Sequence, residues 1–234
     1  IRKRHGLAFS DDNKERNMPN WVTTEIKTSP EVIRSMVNDK GNIDFSIALP
    51  FPGEFEWGGV YGDAETAAEA VLGKPLSDHP LIASMEAVNR SQADIAKLSD
   101  ESFEQFIQML RNHRKCGFLH QMDFARETWG SKWNACDSTH NAEDGTARFD
   151  TAWSCPEPLL IEVSKKFPDT TIEVMFADKD VGSNCGRFSL KNGEIISSDI
   201  APSWNDMDEQ SRKKWSGFAR KVKGWADEED DDSE

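Results

Sequence analysis

The sequence predicts an α+β domain in which an antiparallel sheet carries helices packed on one face and is interrupted by a helical insertion. Three observations lead there. Segments rich in aromatic and β-branched residues flank a long middle stretch. That middle, from Gly53 to about Gly130, has helical rather than alternating periodicity. Near the end, Lys191-Asn192-Gly193 stands between two alternating runs as a tight-turn signal.

The elements follow in order. Residues 1–17 are polar throughout, with Arg2, Lys3, Arg4, Asp11 and Asp12, and read as a flexible arm ahead of Met18-Pro19. Trp21–Lys27 reads as a strand. Ser29 offers a helix cap with Pro30 at the first helical position, and Val32, Ile33, Met36 and Val37 make an apolar stripe. Ile43–Ile47 alternates and reads as a second strand, stopped by Pro50 and Pro52, which makes a β-α-β unit. In the middle, Ala64–Leu72 lies between Asp63 and Gly73. Leu81, Ile82, Met85, Val88, Ile95 and Leu98 put one apolar face on a longer helix. Ser99 caps a third helix whose first turn holds Asp100 and Glu101 and whose buried side holds Phe103, Phe106, Ile107 and Leu110. Met122, Ala125 and Trp129 mark a short helix closing at Gly130.

Strand character returns at Ala147–Trp153. A helix opening at Pro156 and Pro158 presents Leu159, Leu160, Val163 and Phe167 before Pro168. Thr171–Phe176, Arg187–Leu190 and Glu194–Ile196 complete the sheet. Two β-α-β-type halves with helices on one face of an antiparallel sheet make a ferredoxin-like α+β sandwich over residues 18–200, with its helical insertion at about 54–128. Within 203–226, Trp215, Phe218, Val222 and Trp225 form an aromatic stripe among six Lys and Arg residues. A terminal helix docking that stripe on the domain is preferred to a membrane-surface helix.

Composition narrows function mainly by exclusion. The 234 residues hold 28 Lys+Arg against 42 Asp+Glu, a net charge of -14, and the mean hydropathy is -0.67. Seven acids within 227–234 supply half of that charge and read as a disordered tail: a solubilising one, a lure for a basic partner or a mimic of nucleic-acid phosphate charge. The sign argues against direct duplex binding, which leaves a basic footprint. No apolar run approaches the roughly 18 residues that a spanning helix needs, and the N-terminal arm has no secretory core. The expectation is therefore a cytoplasmic protein with no membrane partner and with reduced thiols.

The chemistry-bearing motifs are few. Cys116, Cys136, Cys155 and Cys185 include no Cys-x-x-Cys pair, so neither a zinc ribbon nor an iron–sulfur cluster is expected. Gly73-Lys74 runs into Pro75 rather than a phosphate loop. Gly182-Ser183-Asn184-Cys185-Gly186 has the glycines of a nucleophile elbow but Asn184 at its centre. Asp178-Lys179-Asp180 begins like a calcium loop but lacks the bidentate acid at its end. Cys136 and His140 have dyad spacing without a third orienting group, and a surface-loop histidine is the preferred reading. No metal and no cofactor are expected.

The densest constellation is Trp129-Gly130-Ser131-Lys132-Trp133-Asn134-Ala135 followed by Thr151-Ala152-Trp153-Ser154. Tryptophans bury large areas, so core packing is the bland reading for most of them. The sharper reading takes Trp129, Lys132, Trp133, Asn134 and Trp153 as an aromatic platform with ammonium and amide donors for a ligand or partner.

Together with Met18–Val22, the Ile43–Pro52 segment and the stretch from Phe167-Pro168-Asp169 to Asn192-Gly193-Glu194, those two motifs resemble the YubB-like family. The resemblance covers about 18–196 and fits poorly between Glu54 and Phe118. Cys155 departs from it where a second proline is usual, and so does the short Asp178–Gly182 loop. It implies a ferredoxin-like fold and a setting on conjugative plasmids and bacteriophages, with no established activity. The functional expectation is a non-catalytic accessory protein of a mobile element that binds a host or element-encoded protein, with counter-defence as one such role. A small-molecule or nucleotide binder, including an enzyme, using the Trp-Gly-Ser-Lys-Trp-Asn loop is the alternative. A single-strand nucleic-acid binder ranks last, because Thr171, Glu173 and Met175 offer no basic stacking surface.

Overall fold

The structure, a computed structural model, describes residues 19–54 and 57–226. The arm at 1–17 and the acidic tail at 227–234 lie outside the described residues. Two compact units form: Leu49–Lys132, and the chain on either side of it.

The flanking unit is built on a six-stranded antiparallel sheet in the order β2-β3-β1-β4-β5-β6. The strands are β1 (Trp21–Lys27), β2 (Cys136–Asn141), β3 (Thr146–Ala152), β4 (Thr171–Ala177), β5 (Cys185–Lys191) and β6 (Glu194–Ile200). Alternation sorts their side chains between two faces. Ile26, Ala147, Val174 and Phe188 share one register row and are all buried. Phe149, one pair along, meets Phe45 edge-on at 5.5 Å. The helices α1 (Pro30–Arg34), α2 (Phe45–Ala48) and α7 (Glu157–Lys166) belong to this unit and bury Val32, Ile33, Phe45, Leu159, Leu160 and Val163. The opposite face carries Glu25, Arg148, Met175 and Arg187 in one row.

Helix α8 (Glu209–Lys223) covers one end of that second face. Its Trp215, Ala219 and Val222 cluster with Ala177 and Cys185. Asp208 caps its start, with its side chain accepting from the Ser211 N–H. Its last carbonyls, at Val222 and Lys223, accept from the Arg148 guanidinium, which also pairs with Glu25.

The Asn192-Gly193 turn forms as the sequence predicts, with φ of 51° and 79°, joining β5 to β6. Three readings need correction. Ile43–Ile47 is not a strand: Ile43 makes one isolated bridge to Val37, and the chain then turns into α2. One local and one distant acceptor decide it, since Asp44 Oδ1 takes the Ser46 N–H at 2.9 Å and Asn134 Oδ1 takes the Phe45 N–H at 2.8 Å. Second, β2 exists although Cys-Asp-Ser-Thr-His-Asn lacks strand-forming apolar residues. It is an edge strand that pairs with β3 alone, so it has little apolar area to bury.

The third correction lies in the helical unit. Its helices are α3 (Gly62–Leu72), α4 (Pro80–Ser91), α5 (Asp100–Cys116) and α6 (Gln121–Thr128). Ala64, Ala67, Ala68, Phe106, Met109 and Leu119 form its core. The apolar stripe of α4 does not join it: α4 buries no residue, and Leu81, Ile82, Met85 and Val88 are all exposed. Phe103 of α5 is exposed too.

Candidate functional site

The five residues singled out from the sequence divide between the units. Trp129 and Lys132 lie in the helical unit. Trp129 is 2% exposed and donates its indole N–H to the Leu49 carbonyl at 2.9 Å, meeting Phe124 edge-on. It is a core side chain. Lys132 is half-buried.

Trp133, Asn134 and Trp153 lie in the sheet unit. The Asn134 amide is committed to structure. Its Oδ1 accepts from the Phe45 and Ala135 N–H groups, and its Nδ2 donates to Asp44 Oδ1 at 2.7 Å. Burial opposes ionisation of Asp44, but hydrogen bonds from Ser46, Asn134 and Asn38 outweigh it and hold the carboxyl below its usual range. Asn134 thus fixes the start of α2.

The two tryptophans do meet at the surface. The Trp133 and Trp153 rings sit 5.1 Å apart with 39% and 49% of each residue exposed, and Trp21 continues the row 6.5 Å from Trp133. Trp153 follows the last residue of β3 and has φ of 67°. The left-handed region puts Cβ against the following carbonyl, which costs roughly 1–2 kcal/mol. Three other non-glycine residues among those described share it, Asp137, Asn184 and Asn192, all of types that tolerate it.

The turn is held from both sides. The Trp153 N–H donates to the Asn20 carbonyl at 2.7 Å, and its carbonyl accepts from Asn184 Nδ2 at 3.1 Å. The same Asn184 amide donates to Asp178 Oδ2 at 2.9 Å, while Asn20 Nδ2 donates to Asp180 Oδ2 at 3.0 Å. Asp178 is 4% exposed, and its other oxygen takes the Asp180 N–H. Two carboxylates are therefore each one amide side chain away from the Trp153 peptide. The β4–β5 loop that supplies them stands out in the sequence as a failed calcium loop, a failed nucleophile elbow and a departure from the YubB-like pattern. Its actual role depends on strands distant in sequence meeting at one end of the sheet.

A concavity of about 930 Å³ lies over the part of the second sheet face that α8 leaves uncovered. Its charges are largely spent on one another: Arg148 pairs with Glu25, and Asp199 with Arg187 and Lys214. Phe188, an aromatic residue in its lining, is buried against Phe176.

Geometry and burial work against three of the cysteines as nucleophiles. A register shift between Cys136 and Thr139 sets Cys136 opposite Asp150 and His140 opposite Ala147, three residues apart on β3 and so on opposite faces. The Cys136–His140 dyad is thereby excluded. Desolvation, with the charges of Asp137 and Asp150, pushes the Cys136 thiol up to about 11. Desolvation raises Cys155 to about 12 and, with Asp178, Cys185 to about 11. Thiolates are the reactive form, and these thiols stay protonated at neutral pH. Among the described residues no three His, Cys, Asp or Glu side chains gather as metal ligands, and no helix is long and apolar enough to cross a membrane.

Residues 129–218 match the family model of the ferredoxin-like domain in Api92-like protein. The matched stretch holds β2 to β6, α7 and part of α8, and with them Trp133, Trp153 and the β4–β5 loop. Among solved structures, the crystal structure of a protein api92 from Yersinia pseudotuberculosis is similar at 13% identity. It covers 80% of this chain and 99% of that one, with a TM-score of 0.33. No curated protein matches.

Proposed function

We propose that this protein acts by binding rather than by catalysis, engaging a partner protein through the Trp133–Trp153 platform. The observation that carries this reading is Trp153 itself: a large apolar side chain, half exposed, in a backbone conformation that disfavours it and that its neighbours enforce. Strain kept at an exposed aromatic position is a pointer to function, because an ordinary solvent-facing turn would relieve it with glycine or asparagine. Aromatic residues of this kind anchor protein interfaces by filling a partner's pocket. The protonated thiols and the separation of Cys136 from His140 agree with a non-catalytic role.

The setting proposed is that of an accessory protein of a plasmid or phage in the bacterial cytoplasm, with a host or element-encoded partner and with counter-defence as the role that setting favours. This part rests on the YubB-like resemblance of the Trp-Gly-Ser-Lys-Trp-Asn-Ala and Thr-Ala-Trp-Ser motifs. The test immobilises the full chain and a Trp133→Ala/Trp153→Ala variant of equal thermal stability and exposes both to host extract. A partner retained by the native chain and lost, at least tenfold, with the variant supports the proposal. Equal retention by both removes the platform from function.

A further inference from the structure

Resting on that binding reading, we propose that the Trp133–Trp153 platform recognises an arginine side chain of its partner, with the guanidinium on the Trp153 face and its N–H groups directed at the Asp178–Asp180 loop.

Four observations lead to this ligand class. The first is the ring itself, since cations sit best over tryptophan among the aromatic side chains. The second is the way the chain treats three of its other tryptophans. Arg212 lies 5.0 Å over Trp204, Lys214 lies 4.1 Å over Trp215 and Lys223 lies 5.5 Å over Trp225. Among the described residues no such cation covers Trp153. The third is the pair of carboxylates tied to the Trp153 peptide through Asn184 and Asn20. Asp178 is buried with both oxygens already accepting hydrogen bonds, so Asp180, exposed and in no ion pair among the described residues, is the carboxylate left to a partner. Their neighbouring cations are engaged or turned to water: the Lys223 ammonium donates to the Trp21 carbonyl and to Thr23 Oγ1, and Lys179 is exposed. The fourth is the net charge of -14, which draws a basic partner and repels a phosphate backbone.

Arginine fits better than lysine. A planar guanidinium stacks on an indole and still presents its in-plane N–H donors to a carboxylate, whereas an ammonium is a strongly hydrated point charge.

The test titrates the full chain with three capped peptides that are identical except for one central residue within a Gly-Ser background: arginine, citrulline or lysine. Citrulline keeps the planar shape and loses the charge. Indole N–H resonances report the site. The expected result is that the arginine peptide shifts the Trp153 and Trp133 signals and binds about tenfold more tightly than the citrulline peptide, with lysine between them. Asp180→Asn removes the charge but keeps a side-chain oxygen for the Asn20 amide; with the indole signals of the free protein compared first as the check on the turn, it weakens the arginine peptide several-fold and leaves citrulline unmoved. Equal binding of arginine and citrulline, or indifference to Asp180→Asn, overturns the proposal. If the tryptophan variant still loses its partner in that case, the binding reading stands and the guanidinium assignment alone falls.

Discussion

A tryptophan at φ of 67° is stable here because its N–H donates to the Asn20 backbone carbonyl and its carbonyl accepts from the Asn184 side-chain amide. The same residue-level logic governs the buried polar set of the helical unit. His120, 1% exposed, caps α6: its Nδ1 accepts from the Asp123 N–H at 3.2 Å, which assigns the ring proton to Nε2, 3.0 Å from Glu65 Oε1. That hydrogen bond is the main reason Glu65 ionises below its usual range, against the opposing effect of burial. For Asp123 burial works upward, but the Leu119 N–H and Lys74 bring the carboxyl down overall. A carboxylate with a depressed folded-state pKa contributes stability that is fully present above its unfolded value, about 4.3 for Glu, and is lost as pH falls through the folded value. Glu65→Gln should therefore cost about 1–3 kcal/mol near neutrality and remove part of the acid sensitivity of unfolding below roughly pH 4.3. Urea melts from pH 7 to pH 3 check this, and a variant as stable as the native chain at pH 7 would refute it.

At the scale of elements, burial separates helices that look alike in sequence. Both α4 and α5 carry an apolar stripe, yet α5 packs Phe106 and Met109 into the core with α3, whereas α4 buries no residue and is tied to its unit by polar contacts, among them those of Arg90. That guanidinium pairs with Glu69 of α3 at 3.1 Å and donates to the Lys74 carbonyl at 2.6 Å. Phe106→Ala should destabilise the chain by about 3–5 kcal/mol, and Leu81→Gln by no more than about 0.5 kcal/mol. Paired denaturant curves decide it: a large loss for Leu81→Gln would mean that its side chain is covered in solution.

For the whole molecule the governing quantity is net charge. At -14 the protein presents a field that attracts basic partners within about a Debye length, a distance that is long at low salt and shrinks as salt is added. Association of the arginine peptide should therefore weaken by roughly an order of magnitude between about 0.05 and 0.5 M salt, where the Debye length falls several-fold. Titration at those two ionic strengths measures it, and an unchanged affinity would leave only short-range contacts as the source of selectivity.

How much was legible from the sequence follows the range of each interaction. The start of α5, the Asn192-Gly193 hairpin, the strands Trp21–Lys27 and Thr171–Phe176 and the α+β class follow from caps, turn residues and alternation. Those signals lie within a few neighbouring residues, where backbone sterics and local hydrogen bonds act. The same reasoning misread Ile43–Ile47, because the group that accepts the Phe45 N–H is Asn134, 89 residues away in sequence. It also left β2 unseen, since an edge strand made of polar residues owes its existence to the strand beside it. The candidate site shows the same division. Composition singled out Trp133 and Trp153, but their pairing, the burial of Trp129 and the commitment of Asn134 were settled only where distant segments meet. The sequence by itself determined which residues can be large, charged or turn-forming. Only the tertiary structure decided which of them face water, because exposure depends on what packs against a side chain from elsewhere in the chain.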